Sequence, residues 1–307
     1  MERLKSKTIG VRMGGLSSER DVSLETGKAV FQAIQQKGLN VLAIDVNEQI
    51  ASTLVYEKID LAFIALHGTY GEDGAVQGLL EYAKIPYTGS GLLASAVAFN
   101  KVMSKELFRF HGIPTADYQV FYKDQGENVQ RTLDLPVVVK PSDQGSSIGV
   151  TIVREEAQWQ EAVAHAFAHS DEILAEQYIE GKLLAIGICG SRSLPIVHII
   201  PKSEFYDYEA KYTPGKTRYI CPAELSAAET RQCEDIAKKV CRILKGRGVP
   251  RVDMILDANG TPYVLEMNTL PGLTPTSLLP MAAKQAGMEF PDLVLEILQH
   301  ARLDYQG

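Results

Sequence analysis

No run in this 307-residue sequence approaches the roughly 18 consecutive apolar residues that a membrane-spanning helix requires. The opening, MERLKSKTIGVRMGG, has charges but lacks the apolar stretch of a secretory signal, so a cytoplasmic protein that engages no membrane is expected. Cysteine is scarce. Cys189, Cys221, Cys233 and Cys241 form no C-x-x-C pair, which favours core thiols over a metal knuckle or a disulfide. Positive charge is in deficit too: at a net charge of -7 no cationic face is available for nucleic acid, and anionic ligands must be held by a few placed cations. The Gly14-Gly15 turn lacks the G-x-G-x-x-G spacing of a dinucleotide fingerprint and reads, by itself, as a tight strand-to-helix turn. What the chain has is bulk: 45% hydrophobic and 22% charged residues suit a folded protein of two or three domains.

The stretch RVDMILDANGTPYVLEMN, residues 251 to 268, predicts a β-hairpin, with strands Val252 to Leu256 and Pro262 to Met267 around a turn at Asp257-Ala258-Asn259-Gly260. Antiparallel pairing would gather Asp253, Glu266 and Asn268 at the end far from the turn, with Arg251 beside them. Two carboxylates and an amide, without His or Cys, suit magnesium, which fills its remaining positions with water and phosphate oxygens. The hairpin alone also fits solvated carboxylates on a sheet edge.

Earlier in the chain, residues 8 to 13 form a short strand ending at Gly14-Gly15, and Ser18-Glu19-Arg20-Asp21 starts a helix that turns Val30, Ala33 and Ile34 inward and stops near Gly38. Strands at 41 to 46 and 59 to 66 follow. The second is too continuously apolar for a half-exposed strand, so a parallel sheet covered by helices, a Rossmann-like opening, is expected. Strand carboxyl ends form the ligand crevice of such sheets, so Glu19 and His67 should face one opening. A helix from Ala96 to Phe110 is expected to bury Val102, Met103, Leu107 and Phe110 and to expose Lys101 and Lys105.

In VVVKPSDQGSSIGVTIV, residues 137 to 153, two β-branched strands flank a loop of Gly, Ser and Asp. Its amides can form an anion-binding nest, with Lys140 closing the first strand; a hairpin with an idle tip is the alternative. Trp159, Val163 and Phe167, at four-residue spacing, read as core. Glu176, with Gln177, Tyr178 and Ile179 behind it, offers partners to a purine edge. SEFYDYEAKYTPGKTRYICP, from residue 203, is polar and tyrosine-dense with little regular pattern, which suits a lid in which Lys211, Tyr212 and Arg218 close over a ligand. Thr276-Ser277-Leu278-Leu279 opens a helix whose first amides suit a carboxylate, or are simply capped.

Together the motifs GGLSSERDVS (14 to 23), ALHGTYGEDG (65 to 74), PYTGSG (86 to 91), VVVKPSDQGSSIGV (137 to 150), FYDYEAKY (205 to 212), RVDMILD (251 to 257) and LEMNTLPGLTPTSLLP (265 to 280) are specific. Through them nearly the whole chain resembles the D-alanine:D-alanine ligase family of the ATP-grasp superfamily. The resemblance implies an α/β fold, α+β in parts: a Rossmann-like N-terminal domain (1–98) followed by a two-lobed ATP-grasp fold (99–182 and 183–307). It implies an ATP-dependent ligase that makes D-alanyl-D-alanine for peptidoglycan through an acyl phosphate, acting as a homodimer.

By motif, Glu19 should bind the first substrate's ammonium and join Ser146 and Tyr212 in a hydrogen-bonded triad, with His67 nearby. Lys101, Lys140 and Lys211 should hold phosphates, Glu176, Gln177, Tyr178 and Ile179 the base, and Asp253, Glu266 and Asn268 two magnesium (or manganese) ions. Arg251 and the Gly272 amide should stabilise the oxyanion, and Ser277 and Leu278 the second substrate's carboxylate. One position departs: the family's ribose-binding glutamate, two residues past Gly181, is Leu183 here. Competing readings are a non-catalytic nucleotide-binding relative, a ligase with D-serine or another amine as acceptor, and a carboxylase-type relative.

Overall fold

The computed structural model describes residues 2–54, 56–126, 129–203, 206, 210, 211, 213 and 215–305. Its chain begins with α1 (Glu2–Lys5), β1 (Thr8–Gly14), α2 (Arg20–Gln36), β2 (Asn40–Val46), α3 (Ile50–Thr53) and β3 (Leu61–Ile64). The strands form a parallel sheet in the order β2-β1-β3. As the continuous apolar run required, β3 is buried throughout, whereas the edge strand β2 is mostly exposed. Ile9, Val11 and Met13 point from β1 into a core shared with Val30, Ala33 and Ile34 of α2.

Helices α4 (Ala75–Tyr82), α5 (Leu92–Phe99) and α6 (Lys101–Phe110) lead to β4 (Tyr118–Tyr122), β5 (Val137–Pro141), β6 (Thr151–Val153), α7 (Trp159–Phe167) and β7 (Glu172–Gln177). These four strands pair antiparallel in the order β4-β7-β5-β6, and α7 lays Trp159, Val163 and Phe167 on them. The single helix expected from Ala96 is two. Asn100 adopts an extended conformation and caps α6 by accepting from the Met103 amide at 2.8 Å. The face of α6 is also not the expected one: Met103 and Phe110 are 52% and 81% exposed, while Ser104 and Lys105 are buried with Val102 and Phe108. The cause lies off the helix, in the buried carboxylate of Glu176, which requires a cation and finds Lys105 at 3.2 Å.

The third sheet contains β8 (Gly181–Cys189), β9 (Arg192–Ser193), β10 (Val197–Pro201) and β11 (Thr217–Ile220), then, beyond α8 (Ala227–Ile243), β12 (Arg251–Asp257) and β13 (Pro262–Asn268). Its order is β11-β10-β8-β12-β13, with β9 on β8. Strand β11 corrects the expectation of an unpatterned segment after residue 203: Tyr219 pairs with Ile199 in an antiparallel ladder. Leu184, Ile186 and Ile188 of β8 pack with Cys233, Val240 and Cys241 of α8, so these thiols are core residues. Ala185 and Cys189 face the opposite side, toward α9 (Leu278–Gln285) and α10 (Phe290–Gln299), which join the core of the first sheet. Among the described residues no helix is long and apolar enough to cross a membrane.

Candidate active site

Strands β12 and β13 pair Arg251 with Asn268 and Asp253 with Glu266, at the hairpin end far from the turn. Strict alternation would not do this. Pro262, Val264 and Glu266 are in phase, so a regular strand would send Glu266 inward with Val264. A bulge intervenes: the partner of Asp253 is Glu266, but that of Met254 is Val264, leaving Leu265 unpaired. Beyond it Met267 is buried, and Glu266 and Asn268 share the open face with Asp253.

On that face Arg251 donates from Nε and Nη2 to the two Asp253 oxygens, each at 2.7 Å. Burial pulls the guanidinium pKa down, but Asp253 more than reverses this, so Arg251 is a fixed cation. Glu266 is likewise pushed up by burial, yet Lys101, Lys211, Lys140 and Arg251 together hold its pKa below the ordinary value. Lys101, at the start of α6, donates to the Gln144 carbonyl at 2.6 Å and lies 3.9 Å from Glu266 Oε2. Burial lowers the pKa of both Lys101 and Lys211. Asn268 Oδ1 accepts from the Leu270 amide at 2.9 Å. The donor set is all oxygen, and Glu266 is ionised inside a ring of cations, which suits a hard cation shared with phosphates.

Opposite the hairpin, Glu19 stands at the N-cap of α2 without capping it. Ser146 Oγ donates to its Oε1, and the room for its carboxylate is made by glycines: a Cβ at Gly68 would lie 2.9 Å, and one at Gly145 3.0 Å, from Oε2. Ser146 and Ser147 both have positive φ, so the loop after β5 is held in the curled form expected of a nest. Buried His67 places Nε2 3.2 Å from Thr26 Oγ1 and Nδ1 3.2 Å from Glu72 Oε1. Burial, and then Glu19, raise the Glu72 pKa against the pull of His67. Sequence reasoning passed over Glu72 inside the Gly71 to Gly74 loop; its signal was a carboxylate five residues from His67.

Glu19, His67, Ser146, Lys211, Arg251, Glu266, Asn268, Gly272, Ser277 and Leu278 line one cavity of about 100 Å³, joined by Glu72, Tyr206 and Tyr219. A roomier one, about 380 Å³ beside α1, gathers no comparable chemistry. Ser277 is the N-cap of α9, but its Oγ bonds to the Thr274 amide at 3.0 Å, so the first turn has no side-chain cap. Elsewhere, Glu176 is buried between Lys140 at 2.8 Å and Lys105 at 3.2 Å. Burial raises its pKa, and the two lysines outweigh that. The amides of Gln177 and Tyr178 donate to Asp117 and Pro136 carbonyls, so they are not open to a ligand; no such bond engages Ile179. Tyr212 lies outside the described residues.

The family model described as D-ala D-ala ligase C-terminus matches residues 107–299, and that of the D-ala D-ala ligase N-terminus residues 47–90. A D-alanine-D-alanine ligase of Geotalea uraniireducens is 49% identical over 99% of this chain and 98% of its own length. The structure of the Bacillus anthracis D-alanine-D-alanine ligase complexed with ATP superposes with a TM-score of 0.85 at 34% identity, covering 96% of this chain and 97% of that one. That of the VanG D-Ala:D-Ser ligase from Enterococcus faecalis gives 0.82 at 27% identity, over 95% and 98%.

Proposed function

Because the chain belongs to the D-alanine:D-alanine ligase family, we propose that it joins two D-alanine molecules at the expense of ATP, giving D-alanyl-D-alanine, ADP and phosphate for peptidoglycan synthesis. One observation carries the reading: a single cavity brings the Glu19–Ser146 pair to within reach of Arg251, Glu266, Lys211 and the open start of α9.

The carboxylate of the first D-alanine attacks the γ-phosphoryl group of ATP, and ADP leaves. The amine of the second then attacks the acyl phosphate carbon, and the C–O bond to phosphate breaks. Glu19 takes the first ammonium and is oriented by Ser146, with Tyr212 as the third member of the triad and His67 behind it. Lys101, Lys140 and Lys211 hold phosphate oxygens, and of the stretch from Glu176 to Ile179, whose Gln177 and Tyr178 amides are already bonded, the Ile179 end receives the base. Asp253, Glu266 and Asn268 would hold two magnesium or manganese ions, which when bound neutralise phosphoryl oxygens. Arg251, already fixed by Asp253, and the Gly272 amide face the oxygen on which charge develops at the tetrahedral carbon. Ser277 and Leu278 receive the second carboxylate at the uncapped turn of α9. The molecule works in the cytoplasm as a homodimer.

The test is phosphate release from ATP, measured with and without D-alanine, together with the mass of the product. Release that requires D-alanine, with the D-alanyl-D-alanine mass, is expected. Release without D-alanine, or no release, would overturn the reading, and a mixed product preferred when D-serine is added would move the acceptor assignment.

A further inference from the structure

Three side chains of metal-binding type converge where the end of β8 meets the last helix. Cys189 Sγ lies 3.5 Å from Glu296 Oε1, and His300 Nε2 lies 3.5 Å from the same oxygen. The three ligand atoms fall within 4.8 Å of one another, and among the described residues no other group of three His, Cys, Asp or Glu does so. None of them lines the catalytic cavity.

The arrangement follows from local geometry. Glu296 and His300 are four apart at the end of α10, which puts them on one face of the helix. Cys189 is the buried last residue of β8, and the chain then turns at Gly190, whose φ is +60°. A Cβ at Gly190 would only touch the His300 ring, at 3.6 Å from Cε1, so the turn lies directly against the imidazole. A cavity of about 270 Å³, lined by Gly190, His300, Arg247 and Arg302 among others, lies beside it. The His300 Nε2 atom is buried and makes no hydrogen bond.

Thiolate, imidazole and carboxylate around one ion, with bonds of about 2.0 to 2.3 Å, stand at tetrahedron edges of roughly 3.3 to 3.8 Å. The two spacings to Glu296 Oε1, each 3.5 Å, already match such edges, and Sγ and Nε2 lie within 4.8 Å of each other. The geometry points to a second metal site, in which Cys189, Glu296 and His300 bind a zinc-class divalent cation with water in the fourth position, stapling α10 to the end of β8. It differs in kind from the oxygen-only cluster at Asp253, because a soft sulfur and an imidazole select zinc over magnesium. Without metal, burial and then Glu296 push the Cys189 thiol up to about 11, with Arg192 pulling the other way. Binding therefore exchanges the thiol proton for a metal–sulfur bond and releases one proton per ion.

Cobalt(II) is a spectroscopic stand-in for zinc. The whole protein, with excess magnesium present, is titrated with Co²⁺ and then with Zn²⁺. A near-ultraviolet thiolate-to-cobalt band saturating at one ion per chain, and displaced by zinc, is expected; the oxygen cluster at Asp253 cannot produce it. Cys189→Ser should abolish the band. Glu296→Gln and His300→Ala should weaken Co²⁺ binding by at least about tenfold, the scale on which even outer-shell changes act. His300 is one-third exposed at a helix end, so its variant keeps the test open should the cysteine variant fail to fold. No thiolate band, a band that survives Cys189→Ser, or one lost on Cys221→Ser instead would overturn the assignment.

Discussion

Replacing Lys105 with methionine probes the buried Lys105–Glu176–Lys140 cluster. Lys105 is fully buried, and its ammonium reaches Glu176 Oε1 at 3.2 Å, Thr115 Oγ1 at 2.6 Å and the Ala116 carbonyl at 3.3 Å. Burial, only partly offset by Glu176, brings its pKa from 10.5 to about 8. Between those two pH values the unfolded chain binds more protons than the folded one, so stability rises with pH there. The contribution is complete above about pH 10.5 and is lost as pH falls through about 8. From 10.5 to about 8, at about 1.4 kcal/mol per pH unit, the change is about 3 kcal/mol. Urea unfolding followed by far-ultraviolet circular dichroism, on wild type and Lys105→Met in parallel, measures it. The wild type should gain about 3 kcal/mol on the variant between about pH 7.5 and pH 10.5. Parallel pH profiles would refute the reasoning, because they would mean that the Lys105 ammonium titrates alike in the folded and unfolded chains.

Ser146→Ala removes the hydroxyl that donates to Glu19; the loss of a charge-assisted hydrogen bond, about 1.5 to 3 kcal/mol, should lower kcat/KM for D-alanine by roughly ten- to a hundredfold in a phosphate-release assay. Gly68→Ala introduces a Cβ 2.9 Å from Glu19 Oε2 at a position with φ +68°, so the KM for D-alanine should rise by about tenfold, equivalent to about 1.4 kcal/mol, and a wild-type KM would show that Glu19 does not depend on this space. Leu183 pairs with Ile255 on β12, two residues along from the Ala185–Asp253 pair, so Leu183→Glu places a carboxylate on the strand beside Asp253. Its KM for ATP should fall by roughly tenfold; no change would mean that another residue already serves the ribose.

Much of the architecture follows from local pattern. The continuous apolar run of β3 predicted a covered parallel sheet, the Asp257 to Gly260 turn predicted a hairpin, and both are present. The spacing of Trp159, Val163 and Phe167 predicted their shared burial. The break at Asn100 had a local signal, an N-cap, but the buried face of α6 did not. α6 was read by turning its large apolar residues inward, yet its buried face carries Lys105 because an acid 71 positions away, on another strand, lies beneath it. Glu72 went unremarked although its partner His67 is only five residues away; what the local pattern hides is the charge of Glu19, brought near from the start of α2.

The residue sequence by itself determined the covered parallel sheet, the hairpin with its oxygen donors and the kinship with the ligases, since periodicity, turn residues and motif spacing are properties of neighbours along the chain. Tertiary structure alone decided that a bulge at Leu265 turns Glu266 out of the core toward Asp253, that Glu176 lies between two lysines, and that Cys189 meets Glu296 and His300. The first is set by an extra residue in one strand of a local hairpin, and the other two are contacts between segments remote in the chain. Their energy depends on burial and on the partner's charge, which local pattern does not encode.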